Sequence, residues 1–425
     1  MKVLVIGLNY APEPTGIAPY TTALSEGLAA RGHEVHVLTA MPHYPEWRIR
    51  AGYGGWSRSE HRHGVAVRRL RHHIPNPPEG AHRLLSELSF GARVVLARWG
   101  RPDLVLFVSP ALFSTALGIL RARVLRPDLP IALWVQDLYS LGVVETGAGS
   151  PGGPLAHVMQ RVEAAVLRNS SRVVLIHDRF AEIAARLWGG GDRFSVVRNW
   201  THIPAVTSTD ETRAATRAAL GWRSDETVAV HTGNMGAKQD LGNVVAAARL
   251  ADAGGLPIRF VLVGDGSERA ALEARAAGIR RIDFLDPLPD GEYQRALAAA
   301  DVLLVNEHAG LRDMALPSKL TSYFSSGRPI VAATDPGSIT AAELQASGAG
   351  MRVDPADPRA LLEAVRSFGG ESAQGGMLGK RGLEYMNGVL SQAEAIERFE
   401  AVLQGVLSAR HAVRVPGRAS SQGGA

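Results

Sequence analysis

Lys2-Val-Leu-Val-Ile-Gly7-Leu-Asn-Tyr-Ala-Pro-Glu-Pro-Thr-Gly16-Ile-Ala-Pro-Tyr20 opens the chain. Its apolar run does not alternate with polar residues and stops at a glycine. A strand of that kind is buried on both faces, as the strands of a parallel sheet are. The loop that follows is rich in proline, and beyond Gly16 the pattern turns helical. A strand, a loop and a helix in that order are the first step of a doubly wound α/β sheet.

The same step recurs along the chain. Further strands are expected at 34–39, 65–70, 103–108, 130–135, 172–176 and 194–197, with helices near 18–31, 82–99, 112–125, 154–169 and 178–188 between them. The second half repeats the plan. Strands are expected at 227–232, 258–263, 281–284, 301–305, 329–333 and 350–353, and helices near 239–253, 267–277, 290–299, 316–326, 338–347 and 357–368. The polar stretch near 199–212 divides the chain, which gives domains at 1–200 and 212–385. A last helix at 391–409 is expected to rejoin the first domain, and a disordered Gly/Ser tail to occupy 412–425.

The chain has 425 residues and no cysteine, which excludes disulfides, thiolate metal sites and a cysteine nucleophile. Of its 46 basic side chains only four are lysine: Lys2, Lys238, Lys319 and Lys380. Residues 1–200 carry 23 basic and 15 acidic side chains, a net of +8, whereas the remainder carries 23 and 26, a net of −3. The excess concentrates at 48–101, with 11 Arg, 5 His and 3 acids. It reads as a solvated face, or as a surface for an anionic membrane or anionic substrate. Aromatic interleaving of the nucleic-acid kind is weak there, so no nucleic-acid partner is expected. The longest apolar stretch, Leu104 to Leu120, is interrupted by Pro110 and is too short to span a bilayer. A cytoplasmic protein is expected, at most peripheral at the inner membrane face.

Ligands of open α/β sheets sit beyond the carboxyl ends of the strands, and the candidate residues fall there. Thr15 and Gly16 open the first helix, whose free amides suit phosphate or sugar. The alternative is a plain βα loop. His43, Tyr44, Glu46 and Trp47 follow the second strand, where aromatics with a His and a carboxylate suit a polyhydroxylated ligand or simply cover the core. Gln136 and Asp137 follow the strand at 130–135, and Asp137 reads as a site residue or a helix N-cap. In the second half, His231-Thr-Gly233-Asn-Met-Gly236-Ala-Lys238 runs from a strand into a glycine loop with a lysine, without the spacing of a P-loop. Gly264 and Gly266 bracket a tight turn that a nucleotide base or ribose can approach. Leu316-Pro317-Ser318-Lys319 opens a helix that Gly327 ends, and makes an anion site. No spacing suggests a metal site or a serine-hydrolase elbow, and no cofactor is expected.

The ordered set of these motifs resembles the retaining glycosyltransferases of family 4, most closely the branch that assembles colanic acid and related exopolysaccharides. The matching residues are Asn9–Tyr20, Gly32–Thr39, Pro42–Trp47, Gln136-Asp-Leu138, Gly233–Gly236, Val263–Gly266, Leu316–Lys319 and Gly327–Pro329. The resemblance covers about residues 5–370. It implies the GT-B fold, two Rossmann-like domains facing a central cleft. It also implies metal-independent transfer, with retention, from a nucleotide-sugar donor to a glycan or polyprenyl-diphosphate-linked acceptor in cell-surface polysaccharide biosynthesis.

By the same resemblance Gly16, Gly233, Asn234, Gly264, Gly266, Pro317, Ser318 and Ser322 are donor contacts, and Thr15, His43, Tyr44, Glu46, Trp47 and Gln136 are acceptor contacts. Asp137, Lys238 and Lys319 are the catalytic candidates. The sequence departs from the family at two points. Gln136 stands where many members have histidine, and Met314 and Ser322 stand where they have the glutamates of a Glu-x7-Glu pair. Either Ser318, Lys319 and Ser322 substitute, or the activity differs. A nucleotide-sugar epimerase of the same fold and a non-catalytic nucleotide-sugar-binding protein are the competing readings.

Overall fold

The computed structural model describes residues 1–14, 16–75, 80–137, 153–200, 209–289, 291–311, 319–369 and 372–414. The sequence-predicted site residues Thr15, Pro317 and Ser318 lie outside these. The chain forms two compact units, one comprising Met1–Asn199 and the chain from Gln392 onward, the other Trp200–Ser391.

In the first unit the strands are β1 (Lys2–Ile6), β2 (Glu34–Ala40), β3 (Ser57–Arg62), β4 (Val65–Leu70), β5 (Leu104–Val108), β6 (Ile131–Val135), β7 (Arg172–Leu175) and β8 (Phe194–Val196). They form one sheet in the order β3-β4-β2-β1-β5-β6-β7-β8. Helices α1 (Ala18–Ala30), α2 (Gly80–Leu96), α3 (Leu112–Leu125), α4 (Pro154–Arg168) and α5 (Asp178–Trp188) connect the strands. β1 lies centrally, with Val3 paired to Val35 on one side and to Leu104 on the other, both in parallel. Every residue of β5 and β6 is buried, so a continuous apolar run is the only sequence that satisfies both faces.

β3 is absent from the periodicity argument, and it is the one antiparallel strand of this sheet. Its sequence, Ser-Arg-Ser-Glu-His-Arg, is polar and mostly exposed. The hairpin to β4 turns on His63 and Gly64, both with positive φ (44° and 81°), the geometry of a two-residue hairpin loop.

In the second unit β9 (Thr227–Thr232), β10 (Ile258–Val263), β11 (Ile282–Leu285), β12 (Val302–Asn306), β13 (Ile330–Ala333) and β14 (Gly350–Val353) form an all-parallel sheet. Its order is β11-β10-β9-β12-β13-β14. Counted from β9, that is 3-2-1-4-5-6, the doubly wound order whose topological switch lies between the first and fourth strands. The helices are α6 (Asp210–Ala219), α7 (Gly242–Ala253), α8 (Arg269–Ala276), α9 (Glu292–Ala299), α10 (Lys319–Ser325), α11 (Ile339–Ser347), α12 (Pro358–Phe368) and α13 (Ala373–Val389). Successive strand residues feed opposite cores. Phe260, Leu262 and Leu304 pack beneath α7 and α12, while Val261, Val263 and Leu303 pack against α9 and α10 on the other face. Each such buried side chain contributes about 1.5–3 kcal/mol.

α13 carries five glycines, a poor composition for a helix interior. Packing explains them in part. A Cβ on Gly379 would stand 1.9 Å from the carbonyl oxygen of Gly327, and one on Gly382 would press on Phe324 and Ala349. The last helix, α14 (Gln392–Arg414), packs on α1, where Glu400 accepts from His33 at 2.8 Å and from Arg31. It runs through Arg414, so residues 412–414, expected in a disordered tail, are helical. Residues 415–425 lie outside the described chain. Among the described residues no helix is long and apolar enough to cross a membrane.

Candidate functional site

In the second unit the site grows from the carboxyl ends of β9 and β12, the switch point of the sheet. β9 ends in His231 and Thr232, both buried. The chain then turns through Gly233, at φ +107°, and Asn234 into a single 3-10 turn, Ala237–Gln239, that holds Lys238. The turn is pinned to the neighbouring strand. Asn306, the last residue of β12, donates to the carbonyls of Gln239 (2.7 Å) and Asp240 (2.9 Å). The backbone amide of His308 donates to the carbonyl of Lys238 at 2.8 Å.

Lys319 begins α10. Its Nζ donates to Nε2 of His231 at 3.2 Å, and Nδ1 of His231 faces the carbonyl of Leu304 at 3.2 Å. The tautomer that satisfies both contacts carries its proton on Nδ1 and a lone pair on Nε2. Burial pushes the Lys319 ammonium down to about 7, against a smaller upward pull from Glu307. Burial, with Lys319 beside it, holds His231 well below its ordinary value. Glu307 accepts from the hydroxyls of Thr340 (2.6 Å) and Thr334. Among the described residues Lys319 has no ion pair, so its charge faces the mouth of the Gly233 loop. A Cβ on Gly233 would lie 3.7 Å from Lys319 Nζ.

Two expectations change here. Gly264 and Gly266 are needed first for packing. A Cβ on Gly264 would stand 2.0 Å from the carbonyl oxygen of Gly233, and one on Gly266 would stand 2.6 Å from Asn234 Oδ1. The paired loops are sewn together by Gly233 N–H to Val263 O (2.9 Å) and Met235 N–H to Asp265 O (2.8 Å). Ser322 is buried, and its hydroxyl faces Tyr293. It belongs to a hydroxyl cluster beneath the loop in which Thr232 Oγ1 lies 3.2 Å from Tyr293 Oη and 3.1 Å from Tyr323 Oη.

In the first unit Glu13, which the motif reading passed over, organises the loops. It is buried, and its Oε1 accepts the backbone amides of His43 (2.8 Å) and Tyr44 (2.9 Å) while Oε2 accepts from Asn9 (2.9 Å). Arg69, fully buried in β4, donates to the carbonyl of Ala11 and pairs with Glu60 at 2.6 Å. Gly16, at φ +66°, lies against Tyr44, whose Cε1 would stand 3.3 Å from a Cβ there. Trp47 packs edge-on to Tyr44 and His43, each at 5.8 Å, and Glu46 is exposed. Gly16, Tyr44, Glu46 and Trp47 are thus gathered at one end of the sheet.

His43 instead points inward. Its Nδ1 lies 2.9 Å from the carbonyl of Met41, and its ring stands 5.0 Å from that of His72. Gln136 is engaged as well. It exchanges amide hydrogen bonds with Asn199 at 2.7 and 3.3 Å, tying the end of β6 to the segment after β8. Asp137 lines a small, mainly apolar pocket with Thr115, Leu133 and Glu163. The arginine-rich stretch is only partly surface. Arg69 is internal, Arg50 donates to Pro12 O at 2.8 Å, and Arg62 pairs with Glu26 at 3.0 Å.

Known proteins share this architecture. Residues 15–200 match the family model described as a glycosyl transferase 4-like domain, and residues 226–368 the model described as glycosyl transferases group 1. The putative colanic acid biosynthesis glycosyl transferase WcaI of Escherichia coli (strain K12) is 33% identical over 339 residues, 77% of this chain and 82% of WcaI. The structure of Anabaena HepE in complex with UDP superposes with a TM-score of 0.68 at 14% identity, covering 95% of this chain and all of that one (100%). Sucrose-phosphate synthase from Thermosynechococcus elongatus gives 0.67 at 19% identity, covering 96% and 100%. With two doubly wound α/β sheets, both domain models and a relative matched over most of its length, the chain belongs to the glycosyltransferase family of WcaI and is a glycosyltransferase of the GT-B fold.

Proposed function

We propose that this enzyme transfers a sugar from a nucleotide-sugar donor to a glycan or lipid-linked acceptor in cell-surface polysaccharide assembly, with retention and without a metal ion. The observation that carries the reading is Lys319, a half-buried ammonium at the switch point of the second sheet. Its one described polar partner is a neutral histidine. An incoming diphosphate supplies the missing negative charge. The likeness to HepE, whose structures hold UDP and UDP-glucose, supports a nucleoside diphosphate there, and the name of WcaI supports polysaccharide assembly.

In this mechanism Lys319 and Lys238 take up the charge that develops on the leaving diphosphate, the task a divalent ion performs elsewhere. The bond from the anomeric carbon to the diphosphate oxygen breaks, and the electron pair leaves with the diphosphate. The acceptor hydroxyl attacks the oxocarbenium-like carbon from the same face, and its proton passes to a departing phosphate oxygen. Gly233 and Asn234 line the donor side, and Gly264 and Gly266 keep that loop in place. Tyr44, Glu46 and Trp47 line the acceptor side, where Asp137 orients the acceptor or the transferred sugar, and Gly16 is a donor contact. His43 and Gln136 hold those loops from within.

The test is calorimetry with UDP-, GDP- and TDP-sugars, followed by NMR of the product formed with polyprenyl-diphosphate glycans in the presence of EDTA. Retained anomeric configuration and EDTA-resistant turnover support the reading. An inverted product, or an isomerised donor in the absence of acceptor, overturns it.

A further inference from the structure

The first unit has a groove at the end of its sheet away from the ligand loops. Lys2 and Glu34 line it and are the first residues of β1 and β2, so it opens where those strands begin. The strand register sets its floor. Leu4 of β1 pairs with His36 of β2, His36 and Leu38 pair with Ala66 and Arg68 of β4, and Ser59 of β3 pairs with Arg68 in turn. Side chains alternate along a strand, so these positions share one face of the sheet. The segment from α2 to β5 closes the groove with Arg98, Trp99 and Arg101. The space measures about 480 Å³, the size of a small-molecule site.

Charge in this groove is unbalanced. Glu34 is taken by Lys2 at 2.8 Å and by His36 at 3.1 Å. Asp103 accepts the backbone amide of Lys2 at 2.6 Å. Glu60 is engaged with Arg69 at 2.6 Å, on the opposite face of the sheet. Among the described residues Arg68, Arg98 and Arg101 have neither an ion pair nor a side-chain hydrogen bond. Arg68 is the informative one, because it is half-buried between two neighbouring strands. Taking a guanidinium partly out of water is costly unless a partner compensates it. Here a charged neighbour is another cation: Arg93 is held below its ordinary value by burial and then by Arg68.

The rest of the lining suits the body of a ligand. Leu4, Leu38 and Ala66 make an apolar floor. Trp99 makes a fixed wall, since its Nε1 donates to the carbonyl of Val94 at 3.0 Å and the guanidinium of Arg121 lies 4.3 Å from its ring. A carboxylate engages one guanidinium fully. A phosphate ester carries up to two charges and three free oxygens, and so can engage guanidiniums from two elements at once.

We propose that this groove binds a phosphorylated small molecule, a nucleoside phosphate or a sugar phosphate, as an effector apart from the donor and the acceptor. The phosphate lies among Arg68, Arg98 and Arg101, and the ring body rests on Leu4, Leu38 and Trp99. The groove sits at the starts of the strands, whereas ligands that react on such sheets sit at the strands' carboxyl ends.

The test is calorimetry on the full chain carrying Lys238→Ala/Lys319→Ala, which silences the donor site. The probes are adenosine monophosphate, glucose 1-phosphate, adenosine and inorganic phosphate. The expected result is a single saturable site for at least one of the two esters, weakened by salt, and none for adenosine. Which ester binds tells a nucleoside body from a sugar body. Adding Arg68→Gln/Arg101→Gln should weaken binding at least about tenfold. Thermal melting confirms that this variant is folded, and Arg98→Gln, on the exposed segment, carries the test if it is not. Absence of binding by both esters, binding unaffected by the arginine changes, or inorganic phosphate binding as tightly as the esters overturns the proposal. In the otherwise native chain Arg68→Gln/Arg101→Gln should leave basal sugar transfer intact. Loss of transfer in that folded variant would put the groove in the path of a substrate and overturn its separate role. Binding is read without turnover, so absence of transfer by the native chain counts against the proposed reaction and leaves the groove standing.

Discussion

Nζ of Lys319 stands 3.2 Å from Nε2 of His231, in the floor of the loop that Gly233 opens. A half-buried ammonium beside a neutral imidazole is a poor resting place for a charge and a good receptor for an anion. Lys319 is pushed down to about 7 by burial, so above that pH the free site holds a neutral amine. A bound diphosphate restores the charged form. Nucleotide binding above pH 7 should therefore take up close to one proton, and affinity should fall by up to about tenfold per pH unit there. Calorimetry at pH 8 in buffers of different ionisation enthalpy measures the uptake. Binding with no proton exchange would remove Lys319 from the diphosphate site.

His231 acts on the ligand through Lys319. With Nδ1 committed to Leu304 O, Nε2 is the acceptor that orients the ammonium. His231→Phe should weaken nucleotide binding by about tenfold, one charged hydrogen bond, and move the pH at which binding declines further down. His231→Gln, which keeps an acceptor, should restore part of both. A purely structural role would lower the melting temperature in both variants and leave the pH profile where it was.

The two glycine loops of the second unit give a paired prediction on stability. Gly264 has φ +143° and no room for a Cβ, which would fall 2.0 Å from Gly233 O. Gly264→Ala should cost at least about 3 kcal/mol and part the loops. Gly388, exposed near the end of α13 with nothing near its missing Cβ, is the opposite case. There Gly388→Ala should be neutral or stabilise by up to about 1 kcal/mol. Denaturant midpoints of the two variants moving in the same direction would contradict this reading of the glycines.

How legible these features were follows from what each depends on. β5, β6, β9 and β12 are read easily because a strand buried on both faces must be apolar throughout. β3 is not, since a polar edge strand has no periodicity, and its only signal is the His63-Gly64 turn. α13 is hidden by its glycines, which serve contacts with Gly327 and Phe324 that no local pattern reveals. At the site, Lys319 stood out because lysine is rare in this chain. Its partner His231 and the organising carboxylate of Glu13 did not, because burial and long-range partners gave them their roles. Thirty residues separate Glu13 from His43 and 88 separate Lys319 from His231. His43, read from its place after a strand, and Gln136, an acceptor contact by the resemblance alone, are both buried and hydrogen-bonded within the unit.

His72 supplies the last prediction. Its ring is buried against His43 (5.0 Å) and Phe90 (5.7 Å), and among the described residues neither of its nitrogens has a hydrogen-bond partner. Burial first, then the neighbouring His43 and His73, pushes it from 6.5 down to about 3. As the pH falls below 6.5, the unfolded chain gains a proton at this site that the folded chain refuses until about pH 3. Stability is therefore full above pH 6.5 and declines across that window. The decline from this one group should reach a few kcal/mol at its acid end. His72→Phe removes the titrating group while keeping a ring against Phe90, so it should flatten the acid limb and leave stability at pH 7 nearly unchanged. Melting temperatures of both proteins from pH 7.5 to 4 test this. A variant whose acid limb matches the parent's would show that the imidazole already reaches water or a partner in the folded state.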